Sequence, residues 1–354
     1  MKVALRIVPL CVLTSGLVWI PPAQAVEQLA QGGGSAVDNV SSVVNAVVGR
    51  HQDESMALLG SYGLQKYLLA NDSVSPTGIS SGAASLDKAA WMKGFGSRSN
   101  QGMRNGIDGY RADVLGAVIG VDGKMNNHTL VGLSFGGANV RANGGGATPV
   151  DRDSDVNQVT VYGALMEKAY YMNGSLGYAH GSTRSKRTTV GGMATGDYDS
   201  DAVSASLGAG TPKDFGTFAL IPQANLTYSH IASDSYTETG NSPLTVTPGK
   251  QDILHLTAGV EAKTQFRKPD YTLATGASLM VDWDITQEQA ASYAGSGTAF
   301  QIDAAKPAAL GGIGGLILDF ASNDGLYGVT VGYTANVRPD FISHTGEIRF
   351  RKSF

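Results

Sequence analysis

The chain has 354 residues and a single cysteine, Cys11, so it cannot be held together by disulfides whatever compartment it enters. Beyond the first twenty-odd residues it lacks any run of about 18 apolar residues, which excludes a helical membrane protein. It does not exclude a β-barrel, in which apolar and polar residues alternate along each strand and average out; the mean hydropathy of -0.06 fits that pattern. Charged residues make up only 16% of the chain, and the formal net charge is -4, which argues against a nucleic-acid partner. Chemistry-bearing motifs are missing too. The six histidines, His51, His128, His180, His230, His255 and His344, are scattered without metal-ligand spacing. Gly311-Gly312-Ile313-Gly314-Gly315 has neither the lysine nor the following helix of a phosphate loop. No cofactor and no enzymatic activity are expected.

What the chain has in excess is glycine, 47 residues, and an address at its start. Lys2 and Arg6 precede an apolar core from Ile7 to Ile20, and Ala23-Gln24-Ala25 is a small-x-small cleavage site. Residues 1–25 therefore read as a signal peptide, with Ala23 and Ala25 flanking the cut. Its loss takes the formal charge from -4 to -6.

Residues 26–88 read as a helical linker or plug. Val37, Val40, Val43, Val44, Val47 and Val48 recur at helical spacing, followed by Met56, Leu59, Leu64, Tyr67 and Leu68, and the stretch from Asn71 to Ser85 breaks the pattern. Two uses fit such a segment. It is a small packed cap, or it threads a pore, since about 20 residues at ~1.5 Å per residue cover the ~30 Å of a bilayer core.

From Trp91 to the end the period is two. Leu254, Leu256, Ala258, Val260 and Ala262 alternate with His255, Thr257, Gly259, Glu261 and Lys263. Leu279, Val281, Trp283 and Ile285 alternate with Met280, Asp282 and Asp284, and Tyr327, Val329, Val331 and Tyr333 alternate with glycines and threonines. In the last eleven residues Ile348, Phe350 and Phe354 point one way, while Glu347, Arg349, Arg351 and Ser353 point the other. About twelve such strands are expected, starting near Trp91, Gly109, Thr129, Val156, Tyr170, Tyr198, Gly216, Asp252, Tyr271, Pro307, Leu326 and His344. Connections alternate in length. Turns such as Asp122 to Asn127, Glu167-Lys168 and Ser322 to Gly325 are tight; links such as Arg141 to Asp155, Thr183 to Asp197, Ser233 to Lys250 and Thr286 to Lys306 are long and polar. Short turns at one end and long loops at the other fit an outer-membrane barrel better than a soluble β-sandwich. Pro222 inside a strand speaks against a closed sheet unless the ladder is irregular there.

The carrying residues, in chain order, are Trp91-Met92-Lys93-Gly94-Phe95-Gly96, Gly109-Tyr110-Arg111-Ala112-Asp113 with Gly116, Gly120 and Asp122, then Leu176-Gly177-Tyr178, Leu226-Thr227-Tyr228, Tyr236 to Gly240, and Ser343-His344-Thr345-Gly346. Together they resemble the carboxy-terminal translocator domain of the autotransporters, the type V secretion proteins. The resemblance implies a barrel of about twelve strands over residues 89–354, sited in the cell outer membrane of a Gram-negative bacterium, with a helix through its lumen. It also implies partners: outer-membrane lipid, periplasmic chaperones and the barrel-assembly machinery, which reads the terminal strand through Ile348, Phe350 and Phe354.

Two departures stand out. Only a dozen residues separate Ala25 from the helical segment, so a passenger is expected to be vestigial or missing, and Lys352 occupies a usually apolar position of the terminal motif. The expectation is thus an all-β, monomeric, transmembrane antiparallel barrel with an amino-terminal helical segment in its lumen. The alternative use is a stand-alone surface barrel acting as adhesin, antigen or limited pore through its loops. His255, Glu261, Lys263, Asp282, Asp284, Glu347, Arg349 and Arg351 are expected to face the lumen. The carboxylate pair Asp282 and Asp284 could serve acid–base chemistry but is better read as lumen polarity.

Overall fold

The computed structural model describes residues 88–354, apart from 105–107, 127, 147–148, 168, 249, 288–289, 295–299 and 304–306, with side chains left aside over 287–306. The signal peptide, its cut at Ala23 and Ala25, and the helical segment lie outside the described residues.

Twelve long strands close into one antiparallel barrel: β1 (Lys88–Gln101), β2 (Tyr110–Lys124), β3 (Thr129–Gly144), β4 (Val150–Met166), β5 (Tyr171–Thr189), β6 (Gly192–Gly210), β7 (Ala219–Ser233), β8 (Gln251–Arg267), β9 (Tyr271–Gln287), β10 (Leu310–Ser322), β11 (Tyr327–Arg338) and β12 (Phe341–Ser353). Each pairs with its chain neighbours, and β12 pairs back onto β1, from Ala89 opposite Ser353 to Gln101 opposite Phe341. The Phe354 N–H donating to the Lys88 carbonyl at 2.9 Å finishes that seam. Closure leaves the wall of twelve strands no free edge along the span, as a strand in hydrocarbon requires.

The expected strand count is borne out, and the tight connections are tied by short side chains. Asn126 Oδ1 accepts from the His128 and Thr129 N–H groups at 2.8 Å each, and Asp324 Oδ1 accepts from the Leu326 N–H at 3.0 Å. Pro222 is accommodated where the ladder breaks. Its carbonyl accepts from Thr211 N–H at 3.0 Å, so its missing N–H faces the same side, where β6 ends at Gly210 and the short bridge Lys213–Asp214 takes over.

Two expectations need correction. The links Arg141 to Asp155 and Thr183 to Asp197 are mostly strand: β3 runs to Gly144, β4 starts at Val150, β5 runs to Thr189 and β6 starts at Gly192. Asp122 lies in β2 and not in a turn. The extensions escape the apolar–polar period because neither of their faces meets hydrocarbon, yet their backbone ladders are unbroken. At 19 residues, β5 and β6 are long for a span. With ~3.4 Å per residue and a tilt near 40°, they rise about 50 Å, roughly twice the ~25 Å apolar band of such barrels.

The other four links at this end hold little long strand. Within the two largest, the strands Tyr236–Thr237, Thr245–Pro248, Ala290–Ala294 and Phe300–Asp303 form a separate four-stranded sheet that joins the β7–β8 loop to the β9–β10 loop.

Candidate functional site in the barrel lumen

Alternation sets the two faces of the wall. Leu115, Ile119, Phe135, Val161, Leu176, Leu207, Leu279, Val281, Leu316 and Phe350 stand exposed on the outside. Inside, a buried apolar cluster that includes Phe95, Val118, Leu130, Val140 and Ile231 stands beside polar side chains, and the polar part of the wall has two sectors. On β4 to β7, below the inward-facing Arg152 and Arg187, it is hydroxyl and amide: Ser154 meets Thr183 at 2.8 Å, Ser175 meets Ser206 at 2.6 Å, Gln158 donates to Thr160 at 2.9 Å, and Tyr171 donates to Gln223 at 2.7 Å. From β8 round to β2 it is ionic.

Near the mouth, His255 of β8 bridges both carboxylates of β9. Its Nε2 lies 2.7 Å from Asp282 and its Nδ1 2.6 Å from Asp284. Arg338, the last residue of β11, binds the other side of the same pair: Nη2 donates to Asp282 at 2.7 Å and Nη1 donates to Asp284. Asn336 donates to Asp282 at 2.5 Å. Both carboxylates are thus engaged on two sides, by His255 and by Arg338. Arg338 Nη1 also donates to the Ala308 carbonyl at 3.0 Å, and Asp284 N–H donates to Ala309 at 2.8 Å, so the cluster ties down the returning end of the β9–β10 loop.

Halfway down, Lys263 and Glu261, successive inward positions of β8, lie 3.1 Å apart. Arg349 donates to Thr330 at 2.9 Å, and Thr330 donates to Asp319 at 2.6 Å. Glu347 faces inward between them, opposite Gly332 on one side and Phe95 on the other. At the turn end, Arg351 Nη2 donates to Asp122 at 2.9 Å; Asp122 also accepts from the Tyr162 hydroxyl at 3.3 Å, which itself accepts from the Trp91 indole at 2.7 Å. Bulky rings fit because glycines face them. A methyl group on Gly120 would meet Trp91 at 2.3 Å, and one on Gly132 would meet Tyr162 at 2.2 Å.

All eight residues singled out for the lumen therefore stand on the inner face, but in three separate groups along the barrel. Ile348, Phe350 and Phe354 stand on the outer face, exposed. Lys352 is there too, with its ammonium 5.9 Å from the centre of the Tyr327 ring, an arrangement that suits a long amphipathic side chain at a membrane border. Arg338 was legible only by extending the alternation of β11 past Thr334, and Asp122 only by extending β2.

The outside carries a feature that sequence reasoning did not find. Directly opposed residues on six consecutive strands give the row Arg98, Asp113, Arg141, Asp153, Arg184, Asp197. The row alternates in sign throughout. Arg98 and Asp113 lie 2.5 Å apart, Arg141 and Asp153 3.8 Å, and Arg184 and Asp197 3.1 Å. Because hydrogen bonds run across tilted strands, such a row climbs away from the apolar band as it passes from β1 to β6. Below it Ser182, Asp199 and Asn157 fill the widening gap.

A closed barrel with a lipid-compatible exterior, a polar lumen and a charged collar above its apolar band defines an integral outer-membrane protein. Residues 90–334 match the family model described as the autotransporter beta-domain, and the chain belongs to that family. Among curated relatives, Outer membrane protein A of Rickettsia conorii is 27% identical over 282 residues, 74% of this chain, and Outer membrane protein B of Rickettsia japonica is 25% identical over 227 residues, 58% of this chain. The chain spans about 14% of the length of these relatives. Among solved structures, the translocator domain of the autotransporter NalP from Neisseria meningitidis superposes with a TM-score of 0.63 at 13% identity, covering 85% of this chain and 98% of that one. The transport unit of AIDA-I from Escherichia coli gives 0.62 at 16% identity, covering 83% and 98%. At these identities the structural likeness concerns the fold. The protein is sited in the outer membrane.

Proposed function

We propose that the barrel is the translocator unit of an autotransporter, conducting a polypeptide segment attached upstream of residue 89 through its lumen to the cell surface. The observation that carries this reading is the division of the inner wall. The hydroxyl and amide sector on β4 to β7, below Arg152 and Arg187, offers donors and acceptors to a backbone of any sequence, while on the opposite sector Lys263 is paired with Glu261, Arg338 with Asp282 and Arg351 with Asp122. The matched family and the barrel superpositions support it. On this reading the terminal strand, with Ile348, Phe350 and Phe354 outward, is what the barrel-assembly machinery engages after periplasmic chaperones deliver the chain, and the barrel works as a monomer in outer-membrane lipid.

An epitope inserted after Val26 tests the export step. In intact cells it should become accessible to antibody and to external protease; an epitope that stays protected while the barrel is folded would sink the proposal. A second reading, a surface barrel that meets other cells through its outer parts, is favoured by the tall extensions of β3 to β6 and by the loop sheet above the mouth. It predicts that replacing residues 236–248 with a short glycine–serine link abolishes adhesion of expressing cells while leaving the barrel folded.

A further inference from the structure

The β7–β8 loop does not stand away from the barrel. Its Thr239–Gly240 segment pairs with Thr195 and Ala194 along the edge of β6, and its Tyr236 folds over the inner face of the extension, stacked on Tyr198 (ring centres 4.8 Å apart, 11° between planes). Its anchor is Glu238, 5% exposed, whose carboxylate takes both Nε (3.0 Å) and Nη2 of Arg187 and the Leu244 N–H at 3.0 Å; Arg187 Nη2 also donates to the Ser242 carbonyl at 2.8 Å. Beside this pair stands a second guanidinium. Arg152 of β4 faces the same space, one diagonal step from Arg187 across the β4–β5 ladder, about 7–8 Å on the inner face. It is 7% exposed, and its Nε and Nη1 have no hydrogen-bond partner. Ser185, directly opposite it, is 1% exposed, with its hydroxyl beside the Tyr236 phenol. On the other flank Ala142 takes up little room.

Among the described residues two guanidinium groups thus face one carboxylate, and Arg152 is buried with no counter-charge beside it. Leaving such a group uncompensated costs several kcal/mol. Burial also pushes the Tyr236 phenol above its ordinary value, and the nearby Arg152 charge opposes that push.

We propose that Arg152, Arg187 and Ser185 form an oxyanion-binding site at the mouth of the lumen, and that Glu238 is its built-in occupant, filling half of it and holding the loop down. The ligand class is a compact phosphate- or carboxylate-bearing anion, which would take Arg152 and Ser185 and compete with Glu238 for Arg187. The chemistry is the same for free phosphate and for the carboxylate of a peptide side chain.

The test is equilibrium dialysis of the full-length folded protein in detergent against radiolabelled inorganic phosphate in one arm and radiolabelled N-acetylglutamate amide in the other. Glu238→Gln should tighten the preferred anion about tenfold, the scale of one charge-assisted hydrogen bond. Arg152→Gln should abolish saturable binding, and Arg152→Lys should restore part of it. Binding in the phosphate arm alone assigns a free-anion site, and in the glutamate arm a site for peptide carboxylates. No saturable binding in wild type or in Glu238→Gln, or binding unchanged in Arg152→Gln, would overturn the proposal. A rise in thermal stability of Arg152→Gln without anion binding in any form would show instead that the arginine is only an unrelieved cost.

Discussion

The same chemistry, an arginine paired with an aspartate from another strand, occurs on both faces of this barrel with different consequences. On the outer collar Arg184 and Asp197 are 67% and 74% exposed. In the lumen Arg338 and Asp282 are 7% and 0% exposed. In water each ion of an exposed pair is already solvated, so pairing adds about 0–1 kcal/mol. Within the wall each ion has lost its water, and removing one partner strands the other at a cost of about 3–5 kcal/mol. The lumen pairs therefore behave as fixed parts, and the collar as a hydrated surface that keeps the extensions of β3 to β6 out of the lipid.

Substitutions can break this contrast in order of expected effect. Asp282→Ala leaves Arg338 and His255 sharing Asp284 alone, and should lower unfolding stability by about 3–5 kcal/mol in denaturant titrations of the refolded barrel in lipid vesicles. A loss below ~1 kcal/mol would mean that water reaches this cluster. Gly120→Val pushes a branched side chain into the Trp91 ring, which a methyl group would already meet at 2.3 Å. An overpacking loss of about 1–3 kcal/mol is expected by the same titration, with a shift in tryptophan emission as the indole leaves Tyr162. Asp113→Ala on the collar should cost about 0–1 kcal/mol, and that small loss should shrink further in high salt. A collar variant as damaging as the lumen variant would erase the distinction.

The sequence carried the barrel wherever one face meets lipid. In β8 and β9 apolar residues of one parity run from Leu254 to Ala262 and from Ala277 to Ile285, and in β12 Ile348, Phe350 and Phe354 share a side, so strand existence and the inward side of His255, Asp282 and Arg349 are legible from the alternation alone. That signal ends with the lipid. Asp151-Arg152-Asp153-Ser154-Asp155 and much of the stretch from Thr183 to Asp197 look like loops in composition, and only the unbroken ladders show them to be strands. Arg338 and Asp122 lie near strand ends, beside the outward-facing Val337 and Val121, and are found only by carrying the alternation of β11 and β2 that far. Glu238 cannot be found from pattern, because its pairing with Arg187 spans 51 residues and depends on a loop folding inward. Glycine is legible as an excess but not in its role, because a Trp91–Gly120 fit is visible only when the register of β1 and β2 is known.

The central claim is that the wall has a defined inside, outside, top and bottom, and the chain offers a clean background for testing it, since Cys11 is the single cysteine and can be replaced by serine. Single cysteines would be placed at Ser182 on the collar, Val161 on the apolar band and Asn126 in the β2–β3 turn, and intact cells exposed to a membrane-impermeant maleimide. The account predicts labelling at position 182 in intact cells, at position 126 only after the outer membrane is permeabilised, and none at position 161 in either case. Labelling at position 126 in intact cells, with position 182 protected, would invert the topology and contradict the account.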